Sequence, residues 1–571
     1  MVSVCSLESL FVKVKYRSEA LIVLIGVVIA IAWIPLRMKF PFDDTYITFR
    51  YAQNLAHGFG IVWNPASATM RGGPHTEGYT NFLYMLLLVP FSALGCDLVA
   101  VAQCINVIAV IVSGVAIFRI TNYELRITKD KDRNASQDSV FPIRNSQFII
   151  RNFISWFAVA LFYLDPFTWF NAFSGMETSL FTMWLLLSLR SITNYELRIT
   201  NPKFGSLIRN SSFVIRNSFF FALLATLTRP EGALMGGILL LVGIFNNRAN
   251  WRATAKAFLI AFAAPLMIYA AWKLYYFGNL LPNSFYVKVA QTTTAFPGRG
   301  TMRIFYEGVW YLPLLALFAW KGWRKNAVVQ YAVLWCILLT AFYLFSQLVQ
   351  PQYERFTNSI EAMLIVLASI GASRLITNYG QPASSTMQLP QLRITKPKLL
   401  ILNSSFLILA AIWALTFRGG LGYITADTAY NDRYRQIAEA FRSIPHHEDV
   451  TLAWADAGIL PYYSGLRFLD VVGLNYTPIA HARTPEEVVR LIAEAKPDII
   501  FIPLKSGTDS IIRFGHGLIG PAYPELLRQP EMQSYKPIAL IPQGVYDLDV
   551  YVDTLSPHYR DICLNLDFKR F

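Results

Sequence analysis

Two adjacent carboxylates, Asp43 and Asp44, stand directly after a segment too apolar for anything but a membrane, in the stretch PFDDTYITFRYAQNLAHGFG (41–60). Acids at such a place have two uses. They cap a helix beginning near Thr45 where water resumes, or one of them takes a proton from an attacking group at the membrane surface. Neighbouring residues of a helix do not face the same way, so one acid of the pair is expected to point elsewhere. Cations follow at Arg50, Arg229, Lys288 and Arg355, each near the end of an apolar run. Charge at that depth is costly unless it lines a cavity or serves a site.

The elements that must position these groups are membrane helices. Of the 571 residues, 54% are hydrophobic, 15% aromatic and only 15% charged, far more apolar side chain than a soluble core of this size requires. The net charge of +14 falls mostly in segments between apolar runs, where it orients helices in a bilayer. That placement excludes a nucleic-acid partner. The five cysteines, Cys5, Cys96, Cys104, Cys336 and Cys563, show no CxxC spacing and imply neither a disulfide framework nor a zinc site. The first apolar run lacks a small-residue cleavage site and is expected to remain as a transmembrane helix.

One oddity has to be set aside. ITNYELRIT occurs at 120–128 and again at 192–200, each followed by a related segment, RNSQFIIRN from Arg144 and RNSSFVIRNS from Arg209. The tandem heptanucleotide AATTACG, read through three frames, spells Asn-Tyr-Glu-Leu-Arg-Ile-Thr. Its reverse complement spells Arg-Asn-Ser-stop-Phe-Val-Ile, and one base change at that stop gives the Ser or Gln found here. The blocks, at about 119–152, 191–218 and, in a decayed copy, 375–408, therefore read as DNA inverted repeats captured in the frame. They do not tile the chain as stacking structural repeats must. They carry no chemistry and mark insertion-tolerant loops.

Charge then sets topology. Ala20 to Leu36 is a charge-free span preceded by Lys13, Lys15 and Arg17, which places the N-terminus in the cytoplasm and the acid pair outside. NFLYMLLLVPFSALG, from Asn81, is short and holds a proline, and reads as a helix lying in the outer interface. Further spans follow at 98–118, 153–164, 178–189, 217–228, 232–245, 257–272, 308–320, 327–346, 359–373 and 399–417, about eleven in all. This count leaves every repeat block in the cytoplasm, as the positive-inside rule requires. The fold class is a polytopic α-helical membrane protein, residues 1–418, with a soluble extracytoplasmic α/β domain at 419–571. In that domain YNDRYRQIAEAFRSI and TPEEVVRLIAEA have helical periodicity, and DVTLAWA, DIIFIPL and YKPIALIP read as strands.

Five loops share the outer face: the acid-pair loop with HTEGYTNF, then DPFTWFNAFSGMETS, TRPEG, YYFGNLLPNSFYVK and QPQYERF. Asp165-Pro166 and Pro230 with Glu231 also suit helix punctuation, and the histidines His57 and His75 suit a surface better than a metal. The polar and aromatic residues Glu77, Tyr79, Glu177, Glu231, Tyr276, Asn283 and Tyr286 are candidates for substrate binding around a shared outward pocket. Tyr462, Tyr463 and Asn475, in the tail stretch ADAGILPYYSGLRFLDVVGLN, either help to bind substrate or brace the pocket.

The first outer loop, EGYTNFLYMLLL, SGMET, TRPEG, YYFGNLLPNSFY and the distal DAGILPYYSGL and LDVVGLN together resemble the polytopic GT-C glycosyltransferases, in particular bacterial relatives of the mycobacterial terminal arabinofuranosyltransferase. The repeat blocks are foreign to that family. The resemblance implies an enzyme of the bacterial cytoplasmic membrane that moves a sugar from a polyprenyl phosphate to an extracytoplasmic glycan, lipid or protein, with an acid of the first loop serving the reaction. Asp44 is then favoured as the base, and Asp43 orients it or binds a cation, with the reverse order open. Arg50, Arg229, Lys288 and Arg355 are the candidates to meet the donor phosphate. No resident cofactor is called for; a divalent cation, Mg or Mn, is one that paired acids would accommodate. A single displacement predicts inversion at the anomeric carbon. The rival readings are a transporter or flippase of a lipid-linked sugar, which would usually show internal symmetry, and a decayed scaffold.

Overall fold

The computed structural model describes residues 4–35, 41–65, 75–133, 142–200, 211–246, 248, 251–287, 326–346, 355–378, 431–512, 518–543 and 546–565. The helical part comprises α1 (Val4–Trp33), α2 (Asp43–Ala56), α3 (Phe82–Ala93), α4 (Leu98–Arg133), α5 (Pro142–Leu164), α6 (Pro166–Phe173), α7 (Thr178–Thr200), α8 (Ser211–Thr228), α9 (Gly232–Asn246), α10 (Trp251–Phe277), α11 (Ala327–Ser346) and α12 (Asn358–Asn378).

Local chemistry explains the ends that matter. Asp165 caps α6, its carboxylate accepting from the N–H groups of Phe167 at 3.2 Å and Thr168 at 2.6 Å, with Pro166 preset for the first helical turn. This punctuation bends α5 against α6 by 52°. Gly278, at φ 72°, closes α10 in the left-handed conformation that a residue with a Cβ adopts only at a cost. The first repeat block lies on the ends of α4 and α5, the second on those of α7 and α8, and most of the third lies outside the described residues.

Among the described residues, Leu98–Tyr123 and Trp251–Phe277 are each long and apolar enough to cross a membrane, and the bent pair Asn152–Leu164 with Pro166–Phe173 makes a third if it is one span. Ser18–Trp33, Phe82–Ala93, Ile215–Thr228, Gly232–Asn246, Ala327–Tyr343 and Asn358–Ala372 are shorter apolar helices. The expected spans at 308–320 and 399–417 lie outside the described residues. Among the described residues two or three spans therefore qualify by length and composition, and the count of about eleven is not confirmed, several of the other apolar helices being shorter than the roughly 20 residues a bilayer needs. The helices share a core built on Trp169, Phe170, Leu185, Trp335 and Met363.

The C-terminal part is an α/β sheet. Helix α13 (431–442) precedes β1 (Thr451–Trp454), followed by α14 (Ile459–Ser464), β2 (Arg467–Asp470), α15 (Pro485–Ala495), β3 (Ile499–Lys505), β4 (Tyr535–Pro542) and β5 (Tyr546–Asp553). Strand order is β2-β1-β3-β5-β4. β1 runs parallel to both β2 and β3, and β5 is antiparallel to β3 and β4. The helices and the three strands expected from sequence are present; β2 and β5 are additional. Trp454, Phe501, Leu548 and Val550 of the sheet share one buried cluster with Tyr46, Phe49 and Tyr51 of α2. The tail is therefore packed onto the helix that carries the acid pair.

Candidate functional site

Helix α2 begins at Asp43, with both acids in its first turn, where their charge suits the helix dipole, and Phe42 at the cap makes no side-chain bond. The acids therefore do not cap a helix starting at Thr45. They diverge. The Asp43 carboxylate accepts the N–H of Ile459 at 2.7 Å and of Gly458 at 3.0 Å, tying the tail to α2. Burial, then the neighbouring Asp456, pushes the Asp43 pKa well up. Gly458 is obligatory here, since a Cβ would land on the Asp43 backbone carbonyl. Asp44 faces the other way and lines a cavity of about 600 Å³.

One end of that cavity is charged. An Asp44 carboxylate oxygen lies 3.5 Å from Arg355 Nη1, and the Asp44 side chain keeps 33% of its surface exposed. Arg355 Nη2 lies 3.5 Å from Glu177, whose carboxylate is fully buried, and Arg229 Nη1 lies 3.8 Å from the same Glu177 oxygen. Arg229 also donates to Glu231 at 3.0 Å and to the Arg355 carbonyl at 3.4 Å, and sits over the Phe356 ring at 4.8 Å. The Tyr343 hydroxyl donates to Glu231 at 3.0 Å. Burial works against the charge on Glu231, but Arg229 outweighs it and holds that carboxyl below its usual range. The other wall is apolar, formed by Leu234, Leu281, Phe285, Leu338 and Phe342, and Leu474 of the tail also lines the cavity. An amphipathic cavity of this kind takes an anionic head against the arginines and a hydrocarbon chain along the wall.

Of the residues expected at the site, Asp44, Tyr79, Arg229, Glu231 and Arg355 line this cavity, and Glu177 stands behind the arginines. Others go elsewhere. Arg50 donates to the carbonyls of Trp63 at 3.0 Å and Leu466 at 2.8 Å, to that of Pro461, and to Asn64 Oδ1 at 3.0 Å, so its guanidinium is an anchor between loop and tail rather than a phosphate ligand. Tyr276 accepts the N–H of Ile61 at 3.0 Å and packs on His75. Asn283 donates from its side chain to Thr477 at 3.2 Å and from its backbone to the Glu77 carbonyl at 3.0 Å. Tyr286 stacks on His481, and Tyr462 and Tyr463 pack on Tyr46, so these rings brace the tail away from the cavity lining. Asn475 accepts from the Tyr51 hydroxyl at 3.2 Å and donates to Asp470 at 2.9 Å, seating the DVVGLN loop against α2. Lys288 lies outside the described residues.

Sequence reasoning missed Asn81, Thr48, Tyr343 and Lys273. Asn81 donates to Glu177 at 2.8 Å and exchanges hydrogen bonds with Thr48. Lys273, buried in α10, pairs with Glu77 at 2.8 Å. A lone cation in an apolar helix is the signal that could have found it. Asp43 accepts one backbone N–H at each oxygen, and among the described residues no group of three or more His, Cys, Asp or Glu is arranged to hold a metal.

Burial raises the Glu77 pKa from 4.5 to about 7, with Lys273 opposing. The native state then holds a proton that the unfolded chain releases above pH 4.5, so Glu77's contribution to stability is present at acid pH and is lost as pH rises through 7. The loss is of order 3 kcal/mol. Thermal unfolding of the solubilised protein should fall less steeply between pH 5 and 7.5 in Glu77→Gln than in wild type; parallel curves would refute the assignment.

A family model described as a domain of unknown function, DUF8728, matches residues 423–551, the α/β tail. No curated protein matches the sequence. Among solved structures, ArnT from Cupriavidus metallidurans bound to undecaprenyl phosphate aligns with a TM-score of 0.53 at 14% identity over 94% of this chain and 98% of its own. The archaeal oligosaccharyltransferase AglB from Archaeoglobus fulgidus, in complex with an inhibitory peptide and a dolichol-phosphate, aligns with a TM-score of 0.51 at 11% identity over 85% of this chain and 69% of its own. The apo form of the Archaeoglobus fulgidus oligosaccharyltransferase gives 0.51 at 12% identity over 94% and 75%. These neighbours are GT-C membrane glycosyltransferases, and at such identities the likeness shows the fold. None of them is an arabinofuranosyltransferase.

Proposed function

We propose that the chain is a membrane glycosyltransferase that moves a sugar from a polyprenyl-phosphate donor to an acceptor hydroxyl on the outer side of the bacterial cytoplasmic membrane, with its N-terminus inside. The observation that carries this is a cavity in which Asp44, Arg229 and Arg355 meet a wall of leucine and phenylalanine. Two neighbours of the same fold were solved with undecaprenyl phosphate and dolichol-phosphate, lipids of the chemistry that such a cavity suits.

In this reading the donor's phosphate lies against Arg229 and Arg355 and its chain along Leu234, Leu338 and Phe342. Asp44 takes the proton of the acceptor hydroxyl as that oxygen attacks the anomeric carbon. The bond from that carbon to the phosphate oxygen breaks, the electron pair leaves with the polyprenyl phosphate, and the arginines stabilise the added charge. One displacement inverts the anomeric centre. No cation is assigned a step, because Asp44 alone of the acid pair faces the cavity. Acceptors to try are glycans, lipids and proteins, and pentosyl donors such as arabinofuranosyl follow from the sequence resemblance.

The test is transfer by purified protein in liposomes from a panel of polyprenyl-phosphate sugars. Wild type should transfer from at least one. Arg355→Gln should lower kcat/KM for that donor by about 10²-fold or more, the usual loss when fixed charge at a leaving group is removed. An inactive wild type across the panel, or an unimpaired Arg355→Gln, would sink the reading.

A further inference from the structure

We propose that Glu177 is a positioning residue that sets the two cavity arginines, an assignment that rests on the phosphate role given to them above. Its carboxylate is fully buried at the start of α7 and does not line the cavity, so it does not touch substrate. One oxygen stands 3.5 Å from Arg355 Nη2 and 3.8 Å from Arg229 Nη1, making no hydrogen bond among the described residues. The other accepts the Asn81 amide at 2.8 Å, and Asn81 Nδ2 reaches Thr48 at 3.0 Å, on the α2 face that also carries Asp44. Among the described residues, Glu177 thus links both guanidiniums and, through Asn81, the helix of the base.

Charge gives the arrangement a second consequence. Asp44, Glu177 and Glu231 surround the two guanidiniums, so with these carboxylates ionised the cluster carries a net charge of −1 (two cations against three anions) before any phosphate arrives. Glu177 competes with the donor for the arginines while fixing their direction. Neutralising it should strengthen anion binding and weaken turnover together, a split that a merely structural residue would not produce.

The experiment measures dodecyl phosphate binding by calorimetry in detergent, alongside donor turnover. Glu177→Gln should bind dodecyl phosphate about 3- to 10-fold more tightly than wild type, while kcat falls about 10- to 100-fold. Glu177→Asp, which keeps the charge, should restore wild-type binding and part of kcat. Asn81→Ser, at a residue that also lines the cavity, cuts the amide's hold without changing the charge count and serves if Glu177→Gln does not fold; it should lower kcat several-fold without the tighter dodecyl phosphate binding expected of Glu177→Gln. Weaker binding in Glu177→Gln, or unchanged kcat in both Glu177→Gln and Asn81→Ser, overturns this inference alone. Undiminished dodecyl phosphate binding in Arg229→Gln and Arg355→Gln overturns the phosphate reading and this inference with it.

Discussion

Asp44→Asn should abolish transfer, lowering kcat by about 10²- to 10⁴-fold, the range over which a positioned general base contributes. The amide keeps the shape of the carboxylate and can still accept from Arg355, which lies 3.5 Å away, and with one negative charge fewer beside the arginines donor binding should hold or tighten rather than weaken. Asp43→Asn should behave differently. Its amide would set N–H groups against the backbone N–H of Gly458 or Ile459, loosening the tail without removing the base. The measurement is kcat per folded molecule for both variants, with melting temperature recorded beside it. Loss of kcat in Asp44→Asn and loss of stability in Asp43→Asn is the expected pattern. An Asp44→Asn enzyme keeping a tenth or more of wild-type kcat would remove Asp44 from the reaction.

Why that division was hidden in the sequence is a matter of range. The residue types of the site were legible: an acid pair after an apolar run, and arginines at helix ends, each costly enough in a membrane to need a reason. Which acid faces the cavity depends on Gly458 and Ile459, 415 and 416 residues further on, whose contribution is backbone N–H; its one trace in residue type, the glycine at 458, does not say which acid it meets. Glu177 looked like a loop acid waiting for substrate because its partners Asn81, Arg229 and Arg355 come from three other segments. In the tail, α13 and α15 announced themselves by helical periodicity and β3 by its continuous apolar run. β2 is four residues long, too short for a periodic signal, whereas the alternation in YDLDVYVD that forms β5 was present to be read. The helical bundle was legible as composition, but the number of crossings was not, since apolar helices such as Gly232–Asn246 fall short of a bilayer's thickness.

The largest stability effect is expected at Arg50, the cation that sequence alone grouped with the phosphate ligands. Its side chain is buried, and its donors serve the carbonyls of Trp63, Pro461 and Leu466 and the Asn64 side chain, while its plane lies over Trp63 at 4.8 Å. Arg50→Met fills much of the same volume and makes none of these bonds. Three carbonyls and an amide oxygen would then lose a charged donor, at a cost of about 3 kcal/mol or more. Because two of those carbonyls belong to α14 and the turn after it, the loss should fall on the seat of the α/β tail against α2. Limited proteolysis should release the tail from Arg50→Met under conditions that leave wild type whole, with a lowered melting temperature. Donor affinity measured on the fraction still folded should match wild type, since no Arg50 donor faces the cavity. A stable Arg50→Met whose only defect is weak phosphate binding would return Arg50 to the site. The expected opposite outcome makes the tail part of the cavity in its own right, since Leu474 belongs to its lining and Asp43 and Arg50 hold the tail against α2.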